Sequence, residues 1–218
     1  MIKIPSLFRK DWSGTRLAYD EINPEADWVL TENTDNYKAT IKFDGTACLI
    51  QKEQFYKRYD RKIKRKYRQQ IVNMRYIPKE PDFKSSPSGW FPAEPCPDKP
   101  RTYHWFGWLP VSESNPADKC HIDAYKDKTL EDGTYELVGP KIQGNPYYLD
   151  THELWKHGSV VIENVPFAFS ELEVFLDNHK IEGIVWHHPD GRMVKIKRID
   201  FGLKWPVPEE ILDKPLDK

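Results

Sequence analysis

Cysteine is scarce in this sequence: only Cys48, Cys96 and Cys120 occur in 218 residues. An odd number with no Cys-x-x-Cys pair argues against a disulfide framework or a zinc ribbon. Cys120-His121 with His104 and Cys96 fits no common zinc-ligand spacing. Reduced thiols in a reducing compartment are the simpler reading. Long apolar runs are missing too. No segment approaches the roughly 20 residues needed to span a bilayer, and no apolar N-terminal run resembles a signal peptide. The expectation is a soluble, intracellular, cytoplasmic protein with no membrane partner and no evident obligate protein partner. Net charge is nearly absent, at -1, so global charge says nothing about a polyanionic partner. No internal repeat is present.

Apolar and aromatic residues are plentiful, at 39% and 13%, with eight tryptophans. That composition argues against disorder, and the length suits one large or two small domains. No composition break marks a second domain, so the reading is one domain, residues 1–218, with a proline-rich insertion around 78–116. Many of the 18 prolines fall there, which predicts a long irregular loop. Lys57 to Arg68 holds eight basic residues against one acid, Asp60. Such a block suits a phosphate-tracking surface or a merely solvated one.

Local patterns predict an α+β fold rich in antiparallel sheet. Lys38 to Ile50 reads as two strands around an Asp44-Gly45 turn, since glycine tolerates positive φ. Asp132-Gly133 precedes a strand over 134–139, and 160–165 reads as another. Ser170-Glu171-Leu172-Glu173 has the form of a capping box opening a helix through about Asn178. Residues 181–188 and 193–199 read as a hairpin around Pro189-Asp190-Gly191. A short helix is expected over 208–212.

Four separated pieces carry chemistry: Lys42-Phe43-Asp44-Gly45, Glu136-Leu137-Val138-Gly139, Glu182-Gly183-Ile184-Val185 and Lys195-Ile196-Lys197-Arg198. The first alone is weak, because a KxDG tetrapeptide arises by chance in roughly one chain in twenty of this length. Order and separation are more specific. KxDG, a glutamate strand, EGIV and KxK follow the order of the covalent nucleotidyltransferase superfamily, and the chain resembles that superfamily over most of its length. Three segments resemble the RNA ligase 1 family of 5′-to-3′ RNA ligases more closely. They are the run from Tyr135 to Tyr147, the run from Tyr103 to Val111, and Ile4-Pro5-Ser6-Leu7-Phe8. The resemblance implies an ATP-grasp-like nucleotidyltransferase domain. A C-terminal OB domain, which many relatives carry, is not expected here.

The residues make physical sense in the roles that resemblance implies. A lysine that attacks the α-phosphate of ATP must be neutral, and at its ordinary pKa of about 10.4 only on the order of 0.1% is neutral near pH 7. Lowering it by two to three pH units takes roughly 3–4 kcal/mol. Lys195, Lys197 and a metal are the cations expected to do this for Lys42. Lys195 and Lys197 are two apart and share a strand face, so they also suit the ATP phosphates. Glu136 and Glu182 are hard oxygen ligands suited to Mg²⁺ or Mn²⁺. Glu182 is favoured as the metal-facing one, and Glu136 is alternatively a ribose contact. Whether Glu182 shares the lysine face depends on the hairpin register. Asp44 is expected to orient the lysine loop or contact a metal-bound water. Either Arg58 or Arg61 reaches the nucleotide or a 5′-phosphate. Lys57, Lys62, Lys64, Arg65 and Lys66 are expected to hold RNA. Trp90, Trp105 and Trp108 suit base stacking or a buried core. The implied activity is ATP-dependent joining of RNA 5′-phosphate and 3′-hydroxyl ends through a lysyl-AMP. A capping-type guanylyltransferase, a DNA ligase and an idle RNA-binding domain are the alternatives.

Overall fold

The computed structural model of the protein describes residues 4–33, 36–72, 76–97 and 103–212. Its strands are β1 (Phe8–Lys10), β2 (Ala18–Ile22), β3 (Lys38–Lys42), β4 (Thr46–Gln51), β5 (Gln54–Arg58), β6 (Arg61–Lys62), β7 (Phe91–Pro92), β8 (His104–Trp105), β9 (Gly107–Pro110), β10 (Gly133–Val138), β11 (Glu153–Lys156), β12 (Gly183–His187) and β13 (Met193–Lys197). The helices are α1 (Trp28–Thr31), α2 (Arg68–Val72), α3 (Lys119–Tyr125) and α4 (Phe169–His179). The fold is α+β, and its paired strands are antiparallel. Two compact units divide the chain: residues 1–2 with 46–137, and residues 3–45 with 138–218.

The first unit is built on strands in the order β10-β4-β5-β9-β7. Lys52 and Glu53, both at positive φ, close the β4–β5 hairpin, with Gln51 opposite Gln54. Two successive left-handed residues match the twist of a two-residue hairpin. The proline-rich stretch is less irregular than its composition predicts, since it contains β7, β8 and β9. Tryptophan anchoring explains this. Trp90 Nε1 donates to the carbonyl of Tyr59 at 2.9 Å, and Trp105 Nε1 donates to that of Glu94 at 2.9 Å. Gly107 is required beneath Trp90, because a Cβ there would fall 2.2 Å from the indole. Ile63, Phe83 and Trp105 form a small buried core around these anchors. Trp105 and Trp108 are buried.

The second unit is built on the sheet β13-β12-β3. Its register sets Ile41, Ile184 and Ile196 side by side, and Ala39, Trp186 and Val194 beside them. These side chains face a core closed by Leu172 and Leu176 of α4 and by Leu7, Phe8 and Trp28. Each fully buried aliphatic contributes about 1.5–3 kcal/mol, so the apolar face determines how the three strands lie.

Four local expectations change here. The Asp-Gly turn after Lys42 does not close a hairpin. β3 pairs with β12, whereas β4 pairs with β5 and β10. The capping box does not form. α4 begins at Phe169, with Ala168 as N-cap and no side-chain cap. Phe169 packs edge-on against Phe8 and Phe201, at 5.0 and 4.8 Å, and that burial draws it into the first turn. Residues 160–165 form no strand, only a bridge of Val161 to Thr40. Asn164 at positive φ and the following Pro166 break the run. The short helix over 208–212 is a 3-10 turn, Glu209–Ile211. No helix among the described residues is long and apolar enough to cross a membrane.

Candidate active site

The strand period of two builds the site. Ile41, Ile184 and Ile196 turn to the core, so their neighbours turn the other way. Gly183 pairs with Lys42 on one side and with Lys197 on the other. The two lysines therefore flank a glycine across three strands, and Lys195 lies two residues along the same face. Gly183 cannot be larger, because a Cβ would fall 2.2 Å from the carbonyl oxygen of Ile196. Arg198, the last residue of the KxK segment, points inward. It donates to the carbonyls of Lys204 and Leu176 and pairs with Asp177 at 3.0 Å, tying the exit of β13 to α4.

Glu182 sits just before β12, and its carboxylate is 4% exposed. Oε2 accepts from Nζ of Lys42 at 2.5 Å, and Oε1 lies 2.8 Å from Nζ of Lys197. This answers the register question: Glu182 reaches the lysine face and joins the two lysines. Burial pushes its carboxyl above the ordinary value, opposed by those same ammonium groups. For Lys197, burial alone would lower the pKa, but the Glu182 carboxylate outweighs it and the ammonium is held above the ordinary lysine value. A carboxylate is thus the charged group in direct contact with Lys42. The lysine that burial depresses is Lys195, held at about 8, with the positive charges of Lys197 and Lys42 adding to the effect.

The turn after Lys42 is pinned on both sides of Asp44. Its backbone N–H donates to the hydroxyl of Tyr147 at 2.6 Å, and its carboxylate accepts from Trp205 Nε1 at 2.9 Å. Tyr147 itself packs with Phe43 and Trp155 in a small buried cluster. Lys42 also donates to the carbonyl of Phe43 at 3.0 Å. Two side chains of the second unit thus hold Asp44 beside Lys42.

As a metal site the constellation fits poorly. Each oxygen of Glu182 already accepts from an ammonium group. No group of three or more potential metal-ligating side chains occurs among the described residues. A divalent cation at Glu182 would have to displace the ammonium groups of Lys42 and Lys197 from its oxygens.

The comparisons bear on the whole constellation. A family model described as RNA ligase 1 matches residues 114–216. RNA ligase 1 of Rattus norvegicus is 28% identical over 97% of this chain and 81% of its own length. That of Danio rerio is 27% identical over 90% and 76%. RNA ligase 1 of Pongo abelii is 32% identical over 83% of this chain and 73% of its own length.

The chain belongs to the RNA ligase 1 family.

The stretch matched by the RNA ligase 1 family model holds Glu136, Glu182, Lys195 and Lys197, whereas Lys42 precedes it. The remaining expected residues lie in the first unit. Glu136 is buried on β10 opposite Ala47. The basic block divides. Lys57 pairs with the buried Asp118, which also accepts from Ser112 N at 3.0 Å. Arg61 is 6% exposed, donates to the carbonyl of Lys84 and to Glu80, and lies over the rings of Trp90 and Trp105. Both are committed inward, where a buried cation needs a partner. Arg58 is half-buried, held by Asp60 through two bonds of 2.9 and 3.1 Å and stacked on Phe106 at 4.1 Å. Lys62, Lys64, Arg65 and Lys66 are exposed, and Lys64 donates to the carbonyl of Pro81 at 2.6 Å. Sequence reasoning missed Trp205, Asp200 and Lys10. Trp205 and Lys10 carry no local signal, because their partners Asp44 and Asp200 are 161 and 190 residues away, whereas Asp200 also caps the backbone N–H of Lys197 three residues before it.

Proposed function

We propose that the protein is an ATP-dependent RNA ligase that carries AMP on Lys42 and joins 5′-phosphate to 3′-hydroxyl RNA ends. An ATP-grasp-like nucleotidyltransferase fold belongs to this reading. The observation that carries it is the Lys42–Glu182–Lys197 arrangement: a nucleophilic amine hydrogen-bonded to a buried carboxylate, with a second ammonium on the other oxygen.

In the first step Glu182 takes a proton from Nζ of Lys42, which burial of the carboxyl favours. The freed lone pair attacks the α-phosphorus of ATP. The bond to the bridging oxygen of the β-phosphate breaks, and pyrophosphate leaves with that electron pair. The nitrogen then sheds a second proton to the leaving group or to water, giving a phosphoramidate. Lys197 and Lys195 face the growing charge of the leaving group. In the second step a 5′-phosphate oxygen of RNA attacks the same phosphorus, and the P–N bond breaks as Nζ takes back the proton held by Glu182, releasing Lys42 as the free amine. In the third step a 3′-hydroxyl attacks the 5′-phosphorus, AMP leaves, and the hydroxyl proton passes to solvent. Mg²⁺ or Mn²⁺ enters this reading as the counterion of the nucleotide, and no step is assigned to it. Arg58 takes the nucleotide or 5′-phosphate role, since Arg61 is committed inward. Lys62, Lys64, Arg65 and Lys66 form the RNA path, and Glu136 the ribose contact.

The deciding experiment is intact-mass analysis after incubation with ATP or GTP and a divalent cation, on wild type and Lys42→Ala. One AMP on wild type and none on the variant is expected. A GMP adduct, or an AMP adduct surviving on Lys42→Ala, refutes the assignment. Side-by-side joining of 5′-phosphorylated RNA and DNA strands then tests the substrate.

A further inference from the structure

Three residues beyond Lys197 lies Asp200, a carboxylate only 2% exposed. One of its oxygens accepts from the backbone N–H of Lys197 at 3.0 Å. The other accepts from Nζ of Lys10 at 2.5 Å, across 190 residues of sequence. Lys10 ends β1, and the segment leading into β1 is laid along β13. Leu7 N donates to the carbonyl of Lys195 at 2.8 Å, and Lys195 N donates to that of Pro5 at 3.0 Å. Lys10 is thereby tied to the strand that carries both expected phosphate-facing lysines.

A buried carboxylate without a partner is costly and recruits whatever cation it can reach. Lys197 is at hand, and its ammonium already feels the field of Asp200. We infer that Lys10 and Asp200 form a positioning pair for Lys197. Asp200 fixes the backbone where β13 ends. Lys10 neutralises Asp200, so the Lys197 ammonium stays with Glu182 and with the incoming phosphate. This rests on the reading of Lys197 as phosphate-facing.

The test uses the full chain as wild type, Lys10→Met, Asp200→Asn and the double variant. Asparagine keeps an acceptor for the Lys197 N–H and removes the charge. Calorimetric affinity for inorganic pyrophosphate and the KM for ATP in adduct formation are measured on each, with a melting curve to establish folding. Lys10→Met should weaken both constants about tenfold. The double variant should recover both to within about threefold of wild type, because its buried charge is gone. A double variant as weak as Lys10→Met overturns the inference, since Lys10 would then itself touch phosphate. Unchanged constants in folded Lys10→Met overturn it too, leaving a pair that serves stability alone. Should Lys10→Met not fold, the double variant is compared with Asp200→Asn. Equal constants support the pair, and a further tenfold loss overturns it. A wild type that binds pyrophosphate but forms no adduct defeats the ligase reading alone, and the calorimetric comparison still decides this one.

Discussion

Replacing Lys195 by methionine should stabilise the protein at neutral pH. Burial and the nearby Lys197 and Lys42 hold this lysine at about 8 against an ordinary 10.5. At 1.36 kcal/mol per pH unit, keeping it charged costs the folded state about 3 kcal/mol, an upper figure. Partial exposure of the side chain trims this to about 1–3 kcal/mol. The sign follows from proton counting. Below pH 8 Lys195 is charged in both folded and unfolded chains, and the whole cost is present. Between 8 and 10.5 the folded chain holds fewer protons, so stability rises with pH, and above 10.5 the cost is gone. Methionine fills similar volume without charge, so Lys195→Met should gain that amount at pH 7. The gain should shrink to roughly half by pH 9.5. Urea unfolding of both proteins at the two pH values measures it, the difference between them removing the titration of other groups. A variant less stable than wild type at pH 7, or a difference that does not change with pH, refutes the reasoning. The same variant should lose lysine adenylylation, a stability gained at the expense of a strained charge cluster.

Other perturbations address separate parts of the molecule. Glu182→Gln leaves two ammonium groups without a carboxylate and removes the proton acceptor, so adduct formation should fall about a hundredfold or more; a near-normal single-turnover rate would rule out the proton transfer. Gly183→Ala forces a methyl against the carbonyl of Ile196 and should cost about 1–3 kcal/mol by urea unfolding, with an unchanged midpoint counting against the close approach. Neutralising Lys62, Lys64, Arg65 and Lys66 together should leave the adduct intact while weakening RNA joining and flattening its salt dependence; joining that keeps its salt slope would place the RNA path elsewhere. Arg61→Ala should instead act on folding, because it removes packing on Trp90 and Trp105 and leaves the carbonyl of Lys84 unpaired; urea unfolding should show a loss of about 1–3 kcal/mol, and a normally stable variant would remove it from the structural set.

Much of the site was legible because its code is local. Alternation of Ile196 with Lys195 and Lys197 follows from a period of two, written in adjacent residues. The hairpin over 183–197 was legible for the same reason, since its turn residues lie between its strands. The helix α4 was found, but its first residue was not, because Phe169 answers to Phe8 and Phe201 and not to Ser170.

By itself the sequence determined which side chains share a strand face and which face turns to the core. Only tertiary structure decided what those side chains meet. Strand partners are chosen by long-range burial, so the turn at Asp44-Gly45 joins strands of two different sheets although its composition suits a hairpin. Glu182 finds Lys42 across 140 residues, and Lys10 finds Asp200 across 190. Within the basic block, Arg58 and Arg61 are three residues apart and look alike in sequence. Two tryptophans and a backbone carbonyl enclose one of them, and a surface aspartate holds the other. Charge and spacing are properties of the chain, whereas desolvation belongs to the folded surroundings, and desolvation separates the enclosed Arg61 from the half-exposed Arg58.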